Sequence, residues 1–257
     1  MNMQRVWAIA SNVFREVFRE RVLYLTVLFA IADVLAVSFL NEVSAGTETK
    51  ISLDVGIAGI GLIGLTVAAF VGGGLVNKEI EKRTALILIA KPISRAEFIL
   101  GKHLGLSSVI AVLMATMTVI YFTVLGWRQI SFPAGSLIVS ISYIGLEMIL
   151  LSGVAILFGV FSSSLMSTLL TIAVYFMGHF SQNLVELSRT VKTPSIQLTI
   201  QGIYLLFPDL SRLDLKNQAV YGILPEASTL LTNALYGLIY TGLVLAISTT
   251  IFAKREF

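Results

Sequence analysis

The chain reads as an all-α integral membrane protein. We expect six transmembrane helices, an N-terminal interfacial helix, a short cytoplasmic helix between spans 2 and 3, and short extracytoplasmic helices before span 6. Three observations lead there. Hydrophobic residues make up 56% of the 257 residues and charged ones only 13%, against about 25% charged in soluble domains. The apolar residues fall in runs long enough to cross a bilayer core of about 30 Å. The basic residues gather beside those runs, where membrane topology explains them. That clustering argues against a nucleic-acid partner. The whole of 1–257 forms one membrane domain.

Residues 3–20 form the interfacial helix. Val6, Ala10, Val13, Phe14, Val17 and Phe18 recur mainly at spacings of three and four, and Trp7 joins their face. Such a helix either lies in the headgroup plane or packs on its own protein, and the span that begins at once favours the headgroup plane. Arg15, Glu16, Arg19 and Glu20 interrupt any signal-peptide core.

The spans follow at 22–40, 55–76, 103–125, 137–160, 168–184 and 229–252. A polar linker, NEVSAGTETKISLD, separates the first two. The second holds Gly56, Gly59, Gly61, Gly64 and Gly72 to Gly74, small residues that let helices approach closely in lipid. A loop around Trp127 and Pro133 precedes span 4, and a tight turn, FSSSLMS, precedes span 5.

The connection 77–102 is the longest charged segment, far longer than a helix–helix link requires. Thr84 precedes an apolar run at 85–90, about two helical turns. Pro92 drives Lys91 out of helical geometry and ends that run. Ser94 and Glu97 then form a capping box, so a new helix starts at Ser94. The pattern is helix, break, short helix, break, helix, and the short helix reads as a docking surface for a partner. With both termini inside, the inner segments hold 12 of the 18 Lys and Arg residues, which favours a cytoplasmic location for this stretch.

Before span 6, residues 196–207 are apolar but too short to span, and Pro208 stops them. Asp209 can cap a second short helix, LSRLDLKNQAV. Both are expected at the outer face, as a lid over a translocation path or as a plain surface cap.

The chemistry of an enzyme is missing. There is no cysteine, no H-E-x-x-H and no G-x-S-x-G, and there are two histidines. Gly72 to Lys78 is glycine-rich but lacks the spacing of a phosphate loop. If ATP drives this protein, another chain binds it. Asp33 and Glu147 lie near mid-membrane, where a charge costs roughly 2.5 kcal/mol or more. Each either lines a translocation path or satisfies a helix–helix contact. Met114, Met117, Met148 and Met177, with His179, are conceivable soft-metal ligands, but methionine in an apolar core is usually packing.

In order, Glu79 and Glu81, Thr84, the run 85–90, Pro92, Ser94-Arg95 and Gly101-Lys102 resemble the membrane subunits of type-2 (ABC-2, exporter-like) ABC transporters. The similarity extends over nearly the whole chain. It looks closest to the permease branch that serves copper-site maturation of nitrous oxide reductase. Arg83 departs from the pattern, which usually has Gly before Thr. The resemblance implies a dimeric permease of the bacterial inner membrane, homo- or heterodimeric, in contact with lipid. It further implies that 84–90 is the coupling helix for a separate ATPase that binds ATP and Mg, while this chain binds no cofactor. The ATPase-coupling set would then be Glu79, Glu81, Arg83, Thr84, Leu86, Ile87, Pro92, Ser94 and Arg95. The competing expectation is a stand-alone proton- or ion-coupled secondary transporter that uses Asp33 and Glu147.

Overall fold

The computed structural model describes residues 2–19, 23–43, 48–81, 94–181 and 193–254. These form α1 (Met3–Val17), α2 (Leu23–Val43), α3 (Glu48–Thr66), a π-helical turn (Val67–Val71) and α4 (Gly72–Glu81). They continue as α5 (Arg95–Trp127), α6 (Ala134–Phe161), α7 (Ser164–His179), α8 (Pro194–Leu206), a 3-10 turn (Leu210–Arg212), α9 (Lys216–Val220) and α10 (Ala227–Lys254). No strand occurs among the described residues.

Among the described residues, four helical stretches are long and apolar enough to cross a membrane: Thr49–Glu79, Arg95–Trp127, Ala134–Phe161 and Ala227–Lys254. Two shorter apolar stretches, Tyr24–Phe39 and Ser164–His179, accompany them. α6 is the axis of the bundle and contacts α3, α4, α5, α7, α9 and α10. Around it Ile57, Ile60, Leu106, Ile110, Ile144 and Met148 are fully buried. Large apolar side chains on α2 and α10, among them Leu28, Leu35, Ile239 and Leu243, face outward, as lipid-facing positions do.

Several boundaries differ from expectation. The stretch 41–54 is not all linker, because α2 runs to Val43 and α3 begins at Glu48. Packing accounts for the extra turns of α3: Ser52 and Leu53 are buried, and the Tyr121 hydroxyl donates to the Leu53 carbonyl at 2.9 Å. The turn before α7 shrinks to Ser162-Ser163, because Ser163 caps that helix through the Met166 amide. α5 starts where the capping box places it: Ser94 accepts from the Glu97 amide, and Glu97 accepts from the Ser94 amide.

α1 shows the largest difference. Its stripe of Val6, Ala10, Val13 and Val17 is buried against α5 rather than left for the headgroups, and Trp7 stands off that stripe at 72% exposure. Gly101 and Gly105 cut the notch. A Cβ on Gly105 would lie 2.6 Å from the Val13 Cβ, and one on Gly101 would lie 2.7 Å from the Ile9 Cβ. A second close crossing brings Gly159 of α6 onto α4, where a Cβ would sit 2.9 Å from the Gly73 carbonyl oxygen.

The connection before α10 is the other surprise. Leu198 and Leu205 of α8 stand exposed, but the part after it packs into the bundle. Leu210, Leu213, Leu215, Ala219 and Val220 are buried in the main core, and α9 packs on both α3 and α6. The Lys216 side chain reaches to 3.8 Å from the Cβ position of Gly61. The expected second helix is therefore a 3-10 turn plus a short helix sunk into the bundle. Leucines at 210, 213 and 215 make immersion favourable. Asp209 makes no cap bond to that turn. It instead accepts from the side chains of Ser181, Ser211 and Arg212.

Candidate functional site

Two polar regions stand out in this apolar molecule. The first is a layer at one end of the bundle, where α4 stops and α5 starts. Glu79 of α4 is ion-paired with the buried Lys102 of α5. The Lys102 ammonium also lies 5.6 Å from the Phe98 ring centroid. Glu97 lies where two helices begin. Besides closing the α5 cap, it accepts from the Asn2 amide at 2.6 Å, and Arg5 lies 4.0 Å away. Asn2 itself caps α1. One buried carboxylate thus meets the positive ends of two helix dipoles.

The far terminus of the chain joins the same layer. Arg95 donates to the Phe252 carbonyl at 2.9 Å, and Phe98 stacks on the Phe252 ring at 5.4 Å. The Asn77 amide donates to the Ser162 carbonyl at 2.7 Å, which ties α4 to the turn between α6 and α7. Of the coupling set read from the sequence, Glu79, Ser94 and Arg95 are brought together here. The side chain of Glu81, and Arg83, Thr84, Leu86, Ile87 and Pro92, lie outside the described residues. Sequence reasoning missed Asn2, Asn77, Ser162 and Phe252, whose partners are 85 to 157 residues distant and carry no local signal.

The second region lies inside the bundle. Glu147 of α6 is fully buried. His179 at the end of α7 approaches it, with Nε2 at 3.5 Å from its Oε1 and 3.8 Å from Asp214 Oδ2. His179 Nδ1 lies 3.1 Å from the Tyr175 carbonyl oxygen. The Lys216 ammonium is 3.9 Å from Asp214 Oδ1, which also accepts from the Lys216 amide at 3.2 Å. Asp214 and Lys216 come from the inserted connection, so three parts of the chain meet at this cluster.

Asp33 is not part of that cluster. It is buried in α2, within electrostatic reach of Tyr121, and neither of its oxygens has a hydrogen-bond partner among the described residues. Met114 and Met148 fill the space above Gly64, so both serve as packing. A cavity of about 450 Å³ lies between α5 and α6, lined by Ile110, Met114, Thr118, Ile141, Ser142 and Gly145 among others. The Thr118 and Ser142 hydroxyls donate to carbonyls of their own helices, so the wall offered to an occupant is essentially apolar.

A family model described as ABC-2 family transporter protein matches residues 7–257. No curated protein matches the chain.

Proposed function

The chain belongs to the ABC-2 family of transporter proteins, and from that premise we propose that it is the permease subunit of an ATP-binding cassette exporter. It carries substrate across the cytoplasmic membrane with ATP hydrolysed, together with Mg, on a separate ATPase subunit. A second permease copy completes the pathway. Both termini are cytoplasmic, and the shorter stretches Tyr24–Phe39 and Ser164–His179 complete six spans. Within the family, the pattern from Glu79 to Lys102 favours the copper-maturation branch.

One observation carries the coupling role. The two described flanks of 82–93 are fastened to each other by the Glu79–Lys102 pair, and the second flank is held to the last turn of α10 by Arg95 and Phe98. A short helix at 84–90 would therefore be held by stiff elements at both ends. A push from a partner would reach α4, α5 and α10 together, and differential contact in two states would then shift the bundle's equilibrium. Affinity isolation of the intact complex from native membranes should recover an ATPase. Deleting 84–90 should abolish that recovery while the chain still inserts; undiminished recovery would refute the role given to this segment.

The burial of Asp33 and Glu147 favours a second reading, a proton- or ion-coupled secondary transporter. Transport that survives ATP depletion and is lost on acid-to-amide substitution at these two positions would select it.

A further inference from the structure

We propose that Glu147, His179 and Asp214 hold one shared proton inside the bundle at neutral pH, and that this proton fastens the inserted segment 210–220 to α6 and α7. The inference stands independently of any ATPase partner.

The argument is one of donors and acceptors. A neutral imidazole has one N–H and one lone pair. If His179 carries its proton on Nδ1, that N–H satisfies the Tyr175 carbonyl at 3.1 Å. Nε2 then turns a lone pair toward the oxygens of Glu147 and Asp214, at 3.5 Å and 3.8 Å. If the proton sits on Nε2 instead, a lone pair faces the Tyr175 carbonyl. Neither neutral tautomer satisfies both sides while both carboxyls are ionised. One added proton resolves the conflict. On the ring, it makes both nitrogens donors. On Glu147, its O–H donates to Nε2.

Charge counting gives the same answer. Among the described residues, the groups facing the cluster are Glu147 from α6, Tyr175 and His179 from α7, and Asp214 and Lys216 from the inserted segment. α3 contributes uncharged Gly61 beside Lys216. Lys216 balances Asp214 through the side-chain contact and the amide bond to Oδ1. That leaves the Glu147 charge, which has no hydrogen-bond partner among the described residues. With the shared proton the cluster is neutral. Without it, a net negative charge sits in the interior, and such a charge is strongly disfavoured. Asp214 and Lys216 are the polar groups by which the segment meets this charge, so loss of the proton loosens the segment's hold.

The test uses the full chain in lipid nanodiscs with ¹⁵N-labelled histidine. At neutral pH, the His179 ring nitrogens should both report as protonated, or an infrared carboxylic-acid band should be present that Glu147→Gln removes. Either result supports the shared proton. A neutral His179 with no band lost in Glu147→Gln overturns it. Fastening is read from amide exchange across 210–220, corrected for intrinsic rates. In the parent, protection should fall with rising pH by up to about tenfold per unit across the range where the docked cluster holds the proton and the open one does not, the slope of one linked proton, and level off once the docked cluster has lost it. Glu147→Gln supplies a permanent N–H donor to Nε2, so its protection should stay level with pH. Equal pH dependence in the parent and in Glu147→Gln would overturn the fastening role.

Discussion

Replacing Gly105 with alanine should detach α1 from α5. The added Cβ would lie 2.6 Å from the Val13 Cβ and 2.7 Å from the Ala10 carbonyl oxygen. Carbon atoms in contact prefer about 3.5–4.0 Å, so α1 must retreat by roughly 1 Å. Part of the obstruction is backbone, so no rotamer change relieves it. Overpacking of this kind costs about 1–3 kcal/mol, which lowers the docked-to-undocked ratio of α1 about 5- to 150-fold. The absence of native cysteine offers a clean assay. Val13→Cys places a single thiol at a fully buried position on the docked face. Its maleimide-labelling rate in membranes reports how often α1 opens. Adding Gly105→Ala should raise that rate by the stated factor. Adding Gly126→Ala, at a site with nothing within 4 Å, should leave it unchanged. Equal labelling with and without Gly105→Ala would refute the notch as the reason α1 docks.

Glu97→Ala removes the carboxylate shared by two helix starts and should cost about 1 kcal/mol; the Val13→Cys label should react faster in it than in Ser94→Ala, which disturbs α5 alone. Tyr121→Phe keeps the ring but loses the bond to Leu53, worth about 1 kcal/mol; in detergent Tm should fall by about 2–4 °C. Asp209 lies in the connection outside the spanning helices. Burial pushes its carboxyl up, but hydrogen bonds from Ser181, Ser211 and Arg212 together outweigh this and hold it below the usual carboxylate range. A folded-state value below the unfolded one contributes stability above the ordinary carboxylate range, and that stability is lost as pH falls through the folded value. Asp209→Asn should therefore be less stable than the parent at neutral pH, with the gap closing in acid; a gap that persists at low pH would contradict this.

What the sequence made legible was local. The Ser94–Glu97 cap lies within four consecutive residues and needs nothing else, so it was readable in advance. The apolar runs located the main helices because lipid rewards composition directly. Contacts between distant helices left weaker traces. Gly101 and Gly105 look like ordinary small residues until α1 is laid across them. Trp7 was grouped with the apolar face, but the positions buried in α1 are 6, 10, 13 and 17, and Trp7 is not among them. The cluster around Glu147 was half legible, since the acid was conspicuous and its partners were not. One clue to those partners was available: Asp214 and Lys216 stand among leucines at 210, 213 and 215, too greasy a setting for a surface loop. Glu79 and Lys102 were both read as parts of the motif between spans 2 and 3, but nothing in their spacing announced that they pair with each other.

The wide turn at Val67–Val71 divides a long membrane helix into two segments of different phase. Thr168 of α7 donates to the Ala69 carbonyl within it at 3.3 Å, so a neighbouring helix braces the irregularity. A π turn accommodates one surplus residue, and each helical residue is worth about 100° of rotation. Were the turn to regularise to α-helical geometry without losing a residue, everything beyond it would swing by about that angle. Gly73 would turn away from Gly159, and Glu79 would turn away from Lys102. The lower half of this helix thus works as a cam whose setting is fixed at mid-length, some distance from the teeth it engages.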